Sequence, residues 1–123
     1  MPVYPHLVVD ARGLNIENLF KSDREYVKLF VNHLIRAVDM KRWGRIKVMY
    51  LHTPAELRGL SVVQMIHTSN LTLHIFENDD SLNLDLFSCK GFDPKVVIDV
   101  VRLYFNPTEL TTQLLNRGFS DFP

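Results

Sequence analysis

The sequence predicts an α+β fold, a two-layer sandwich in which an antiparallel β-sheet carries both of its helices on one face. Several short runs alternate apolar and polar residues, which is typical of half-buried strands. Two longer segments repeat apolar residues at helical spacing. The resulting order is β-α-β-β-β-β-α-β, and its consecutive strands favour antiparallel pairing. No repeat or linker interrupts the chain, so we expect one domain over residues 1–123.

The first helix is predicted over residues 23–41. Ser22-Asp23-Arg24-Glu25 forms a capping box, in which the serine hydroxyl and the glutamate each satisfy an open helical amide. Trp43-Gly44 is expected to end the helix. Its apolar stripe consists of Val27, Phe30, Val31, Leu34 and Val38.

The second helix is predicted from Asp93-Pro94, a capping residue followed by proline at the first helical position, to Asn106-Pro107. The polar residues 77–80 predict a hairpin loop. We place the strands at residues 6–10, 45–51, 60–67, 70–76, 82–88 and 111–115.

The alternation in the central strands indicates which side chains face away from the helices. Leu71, Leu73 and Ile75 share one face of their strand, and Leu82, Leu84 and Leu86 share one face of the next. If the leucine faces meet the helices, His74 and Asp85 lie on the opposite, open face. A partly polar open face needs cover, and a homodimer would provide it.

Composition excludes several classes of function. Lys plus Arg and Asp plus Glu are both 14, so no net field favours nucleic acid or an anionic membrane as a partner. No run approaches the roughly 20 apolar residues of a membrane helix. The single cysteine and the absence of a signal-peptide pattern at the start predict a cytoplasmic protein.

The groups that could carry chemistry lie between Gly59 and Cys89. The segment contains Gly59-Leu60-Ser61, Ser69-Asn70-Leu71-Thr72-Leu73-His74 and Leu84-Asp85-Leu86-Phe87-Ser88-Cys89. These residues, with their spacing, resemble the small prokaryotic S-adenosylmethionine decarboxylases. The beginning His6-Leu7-Val8, the Asp93-Pro94 helix start and Asn116-Arg117-Gly118 near the end are also similar.

The resemblance implies that the chain binds no organic cofactor and instead makes a pyruvoyl group by cutting its own backbone between Thr68 and Ser69. Ser69 would attack the carbonyl of Thr68, and elimination of the resulting ester would leave pyruvoyl on the new chain end. Ser61 and His74 match the family's oxyanion donor and base. Cys89 matches the residue that reprotonates the substrate carbon after carbon dioxide leaves a Schiff base. We therefore expect these groups to converge around the Thr68–Ser69 bond.

The same resemblance assigns the substrate-binding residues. Phe76 stands where a tryptophan stacks on adenine, Asp10 stands where the family has a glutamate, and Glu77 is the nearest acidic residue after the aromatic. Around the cut site, Thr68 replaces glutamate and Asn70 replaces histidine.

Three functions stay open at this point. The first is an S-adenosylmethionine decarboxylase of polyamine and spermidine biosynthesis; the second applies the same pyruvoyl chemistry to arginine or ornithine. The third is an uncleaved, non-catalytic homologue that binds S-adenosylmethionine or a partner subunit. A zinc site made of His67, His74 and Cys89 is disfavoured, because the spacing fits no zinc finger and the histidines differ in strand parity. We therefore predict no metal.

Overall fold

The computed structural model describes residues 4–15 and 23–118 of the chain. The predicted order of strands and helices is confirmed. The helices are α1 (Arg24–Ala37) and α2 (Pro94–Phe105), with a short 3-10 turn at Ala55–Leu57. The strands are β1 (Tyr4–Arg12), β2 (Lys47–Leu51), β3 (Gly59–Ile66), β4 (Ser69–Phe76), β5 (Ser81–Phe87) and β6 (Glu109–Arg117).

The six strands form one sheet in the order β2-β3-β4-β5-β1-β6. Every neighbouring pair is antiparallel, with β1 between β5 and β6. Both helices contribute to a single core cluster with alternate residues of the strands. This arrangement confirms the predicted two-layer α+β sandwich.

The core explains the alternation read from the sequence. Leu73 and Leu84 lie opposite each other on β4 and β5, and both are completely buried. Phe30 of α1 and Phe105 of α2 meet edge to face, with ring centroids 4.8 Å apart. Burial of such side chains stabilises the fold by about 1.5–3 kcal/mol each, so the helices are held to this face of the sheet.

Helix α1 ends at Ala37, and the predicted end near residue 41 is wrong. Asp39 adopts a left-handed conformation with φ of 58°, which aspartate tolerates better than most residues. The amide of Met40 then donates to the carbonyl of Ile35 at 3.0 Å and turns the chain out of the helix. The chain next runs beside β3, where the amide of Trp43 donates to Met65 at 2.8 Å.

Asp93 caps α2 as predicted, and Asn106 ends it in the left-handed conformation. Helix α1 is capped by Asp23, whose carboxylate accepts the amides of Glu25 and Tyr26. The predicted cap Ser22 lies outside the described residues. Strands β1 and β6 are longer than predicted because they pair along their whole lengths, from Tyr4↔Arg117 to Arg12↔Glu109.

We call the side of the sheet away from the helices the open face. His74 and Asp85 are on it, as the alternation predicted, and Asp85 accepts a hydrogen bond from the His6 ring at 3.0 Å. Within the described ranges, neither helix has the length and apolar character that crossing a membrane requires.

Candidate active site

The predicted cleavage bond lies where the chain reverses between β3 and β4. Ile66 pairs with Ser69, so the reversal contains only His67 and Thr68. Thr68 has φ of 56°, a left-handed conformation that is unusual and costly for a β-branched residue. The residue immediately before Ser69 therefore carries backbone strain.

The thiol of Cys89 contacts the side chain of Thr68. The Thr68 hydroxyl donates to the carbonyl of its neighbour His67 at 2.6 Å. Because a hydroxyl has one proton, the hydrogen bond between Thr68 Oγ1 and Cys89 Sγ is donated by the thiol. Cys89 is therefore held beside the predicted cleavage bond.

The hydroxyl of Ser69 is buried, with a residue exposure of 4%. It accepts the backbone amide of Cys89 at 3.3 Å and donates to Oγ of Ser88 at 3.4 Å. We call Thr68, Ser69, Ser88 and Cys89 the hairpin site. It joins the reversal after β3 to the end of β5.

Two cavities flank the hairpin site. One of about 230 Å³ lies between the segment after α1 and residues 66–69, and its lining includes Cys89 and Lys90. The other, of about 290 Å³, is lined by Trp43, His67 and Thr68. The indole of Trp43 is 65% exposed and meets the His67 ring edge to face at 5.7 Å. A small molecule can therefore approach Thr68 from solvent.

A second group, which includes three of the predicted residues, lies in a row across the open face. Ser61, His74, Asn83 and Asp10 are direct cross-strand neighbours on β3, β4, β5 and β1, and we call them the polar row. Ser61 Oγ and His74 Nδ1 are 2.8 Å apart. Asn83 donates to the Asp10 carboxylate at 2.6 Å.

The remaining predicted binding residues are at the same end of β4 as His74. The ring of Phe76 stacks on His74 at 6.3 Å. Glu77 accepts a 2.5 Å hydrogen bond from the Tyr50 hydroxyl. This bond to the carboxylate, assisted by desolvation, raises the pKa of Tyr50 above its usual value of 10.0.

The structure thus brings the predicted residues together in two groups, and the expected convergence of all of them is wrong for a single chain. Cys89 meets Thr68, but Ser61 and His74 do not reach Ser69. Ser69 belongs to β4, and His74 lies five positions further along the strand, which is about 17 Å at the ~3.3 Å rise of a strand. An odd separation also places the two side chains on opposite faces of the sheet.

Several residues of these groups were not identified from the sequence. Asn83 connects His74 to Asp10 in the register of the sheet, and Ser88 contacts the Ser69 hydroxyl. Their positions gave a signal, because Asn83 alternates with the buried leucines and Ser88 directly precedes Cys89. Nothing in the sequence placed Trp43 beside Thr68.

The three residues of the disfavoured zinc site do not assemble. His67 and Cys89 lie near Thr68, whereas His74 is in the polar row. No group of three or more potential metal-binding side chains occurs in the described part of the chain.

Residues 5–118 match the family model of S-adenosylmethionine decarboxylase. The chain belongs to this family. The S-adenosylmethionine decarboxylase proenzyme of Clostridium botulinum strain Hall is 31% identical over 108 residues, which cover 85% of this chain and 87% of the relative. The proenzyme of Bacillus velezensis is 27% identical over 97 residues, covering 78% and 71% of the two chains.

The fold is also that of a solved member of the family. The crystal structure of the adenosylmethionine decarboxylase from Aquifex aeolicus superposes with a TM-score of 0.77 and 16% identity, covering 98% of this chain and 94% of that one. The six strands and two helices are therefore the family's architecture.

Proposed function

We propose that this protein is a pyruvoyl-dependent S-adenosylmethionine decarboxylase that produces its own prosthetic group by cleavage between Thr68 and Ser69. Membership of the family supports the activity. The single structural observation that supports the cleavage site is the conformation of Thr68, whose φ of 56° strains the residue that precedes the Ser69 hydroxyl.

The chemistry of cleavage can be assigned to groups of this chain. Ser69 Oγ attacks the carbonyl carbon of Thr68 and the C–N bond breaks. The proton of the hydroxyl passes to the leaving nitrogen. Release of strain at Thr68 favours this step. The amide of Cys89, which donates to Ser69 Oγ at 3.3 Å, stabilises charge on that oxygen. Removal of the Ser69 α-proton by a base then expels the Thr68 carboxylate and leaves a dehydroalanine, which takes up water and releases ammonia to give the pyruvoyl group.

The surroundings of Ser69 fit the group that it would become. Once formed, a pyruvoyl ketone supplies an electron sink that lets carbon dioxide leave an amino-acid substrate. Cys89 and Ser69 both line the 230 Å³ cavity. We therefore assign the thiol of Cys89 as the proton donor to the substrate carbon.

We further propose a homodimer whose open faces meet. Ser61 and His74 lie on this face, away from Ser69 of the same chain, and Met49, Val63 and Met65 leave an exposed apolar area beside them. In a twofold dimer, the pair from one subunit can approach the Thr68–Ser69 bond of the other. The oxyanion donor Ser61 and the base His74 would then complete a site shared between subunits.

S-adenosylmethionine is the proposed substrate because the matching relatives are named for it. Phe76 offers an aromatic face for the purine, and the carboxylates of Asp10 and Glu77 are the proposed polar contacts. We place the reaction in spermidine biosynthesis in the cytoplasm, with no nucleic acid or membrane partner. Arginine, ornithine and a non-catalytic role are the alternatives that the tests below distinguish.

Denaturing mass spectrometry of the purified protein tests the cleavage. We expect two fragments, one ending at Thr68 and one that is lighter, by one molecule of ammonia, than simple hydrolysis before Ser69 would give. Ser69→Ala should remain a single intact chain, and Ser81→Ala, which alters the first residue of β5, should cleave normally. A wild-type chain that stays intact after long incubation would contradict self-processing and favour the non-catalytic homologue.

The identity of the substrate is tested by measuring the release of labelled carbon dioxide from S-adenosylmethionine, arginine and ornithine, each labelled in its carboxyl group. We expect release from S-adenosylmethionine and none from arginine or ornithine. Phe76→Ala should raise KM for S-adenosylmethionine more than it lowers kcat, because stacking contributes to binding. Release of carbon dioxide from ornithine or arginine alone would identify that amino acid, and not S-adenosylmethionine, as the substrate of the same pyruvoyl chemistry.

A further inference from the structure

Ser88 is a buried hydroxyl that none of the roles above uses. Its residue exposure is 0%, and its backbone amide donates to the carbonyl of Pro5 at 2.9 Å, which ties it to the start of β1. A buried serine hydroxyl costs free energy unless it is hydrogen-bonded. Its partners therefore indicate what the hydroxyl does.

Those partners are the nucleophile and one backbone amide. Ser69 donates its hydroxyl proton to Ser88 Oγ at 3.4 Å, and the amide of Lys90 donates to the same oxygen at 3.0 Å. The neighbouring amide of Cys89 donates to Ser69 Oγ. Two consecutive amides therefore hold the two hydroxyl oxygens next to each other.

The position of the Ser69 oxygen depends on one torsion angle. Oγ is joined to the Thr68 carbonyl carbon through only three atoms, so the χ1 rotamer decides whether it can close a five-membered ring on that carbon. Bulk water has little access to a residue that is 4% exposed. If Ser88 lost its oxygen, the Ser69 proton would therefore lose its acceptor, and the rotamer would be held only by the hydrogen bond from the Cys89 amide.

We propose that Ser88 is a positioning residue for self-cleavage: it accepts the proton of the Ser69 hydroxyl and fixes that oxygen for attack on the Thr68 carbonyl. This inference rests on the proposed cleavage at Thr68–Ser69. The hydrogen bond directs the proton away from the oxygen lone pair that attacks. In the acyl shift, Oγ bonds to the carbonyl carbon, the bond to nitrogen breaks, and the proton passes to that nitrogen.

Threonine and valine at position 88 give a matched test, because they have the same shape and differ only by the hydroxyl. Newly translated Ser88→Thr and Ser88→Val chains would be sampled over time by denaturing mass spectrometry, beside the wild type. We expect Ser88→Val to cleave at least about ten times more slowly than Ser88→Thr, because the loss of one hydrogen bond changes a rate by about that factor. Equal rates for these two variants would overturn the inference.

Two further readouts separate positioning from folding and from later steps. The melting temperatures of Ser88→Thr and Ser88→Val, each combined with Ser69→Ala, should agree within a few degrees. Hydroxylamine, which cleaves esters, should not accelerate chain breakage of Ser88→Val, because the acyl shift itself is slow. Accumulation of a hydroxylamine-sensitive ester would overturn the proposed step, and a wild-type chain that never cleaves would overturn the proposed function as well.

Discussion

Ser69 and His74 occupy the same strand, yet their surroundings differ in every respect. Ser69 is buried at the end of β4, between the amide of Cys89 and the hydroxyl of Ser88. His74 is exposed on the open face and contacts Ser61 of the neighbouring strand β3. The hairpin site has a strained backbone and the proposed nucleophile within one chain, whereas the polar row has the proposed base and no proposed reacting bond near it.

In the proposed mechanism, one chain therefore holds two incomplete halves of a site. Residues an odd number apart on a strand face opposite sides of a sheet, and about 17 Å of strand separates these two. Neither feature changes with side-chain rotation. A shared site therefore requires the polar row of one subunit and the hairpin site of another.

Mixing two defective variants gives the largest expected effect. Ser69→Ala removes the proposed nucleophile and His74→Ala removes the proposed base, so neither should cleave alone. In a mixed dimer, the intact Ser69 of one subunit meets the intact His74 of the other, and the His74→Ala chain should be cleaved. Denaturing mass spectrometry distinguishes the chains by mass.

Two outcomes would contradict a shared site. If His74→Ala cleaves by itself, then His74 is not required. If co-expression yields mixed dimers by native mass spectrometry but no fragments, then the two halves do not serve each other across subunits.

The two faces of β4 should also differ in stability. Leu73 is completely buried between β3 and β5, so Leu73→Ala should lower the free energy of unfolding by about 2–5 kcal/mol. Thr72 is next to it on the open face, and Thr72→Ala should cost about 0.5 kcal/mol. Urea unfolding in the uncleaved Ser69→Ala background measures both, and similar losses would contradict the assignment of the faces.

The faces were predictable from the sequence because alternation is a local property. Leu71 and Leu73 alternate with Thr72 and His74, because helices cover only one face of the sheet and the other face stays open. The end of α1 was not predictable in this way. Met40 has an apolar side chain that packs against the core, so composition alone extends the apolar pattern past the true end at Ala37.

The arrangement of the candidate site depends on pairing that local patterns do not contain. The contact of Ser61 with His74 requires the register of β3 on β4, which is set by the two-residue reversal at His67 and Thr68. The alternation predicts a strand from residue 70, with Ser69 in the preceding loop; in the structure Ser69 is the first residue of β4 and is buried. Asp10 joins the row only because β1 lies next to β5, far away in sequence.

Apolar residues of the open face give a smaller effect. Met65 is 51% exposed, and in the proposed dimer it is buried in both subunits. Met65→Ser should raise the dimer dissociation constant about tenfold, since about 0.7 kcal/mol of apolar burial lost in each subunit sums to about 1.4 kcal/mol for the dimer. Analytical ultracentrifugation measures it. Leu103, which is exposed on α2, provides the matched control, because Leu103→Ser should leave the dissociation constant unchanged.

The smallest expected effect concerns the strain at Thr68. A left-handed conformation costs a residue with a branched Cβ about 1–2 kcal/mol, whereas glycine adopts it freely. In the Ser69→Ala background, Thr68→Gly should therefore be more stable than Thr68→Val by about 1 kcal/mol, after the greater chain entropy of glycine is subtracted. Both variants remove the hydroxyl that contacts Cys89, so their difference isolates the backbone.

With Ser69 intact, the same pair of variants shows whether the strain is used. If strain at Thr68 raises the energy of the bond before Ser69, Thr68→Gly should cleave severalfold more slowly than Thr68→Val, because less strain is released in the acyl shift. Cleavage of Thr68→Gly at the same rate or faster would mean that the conformation of Thr68 serves only to reverse the chain. The hairpin site would then depend on the placement of Ser69 alone, and the polar row of the second subunit would have to supply the remaining acceleration.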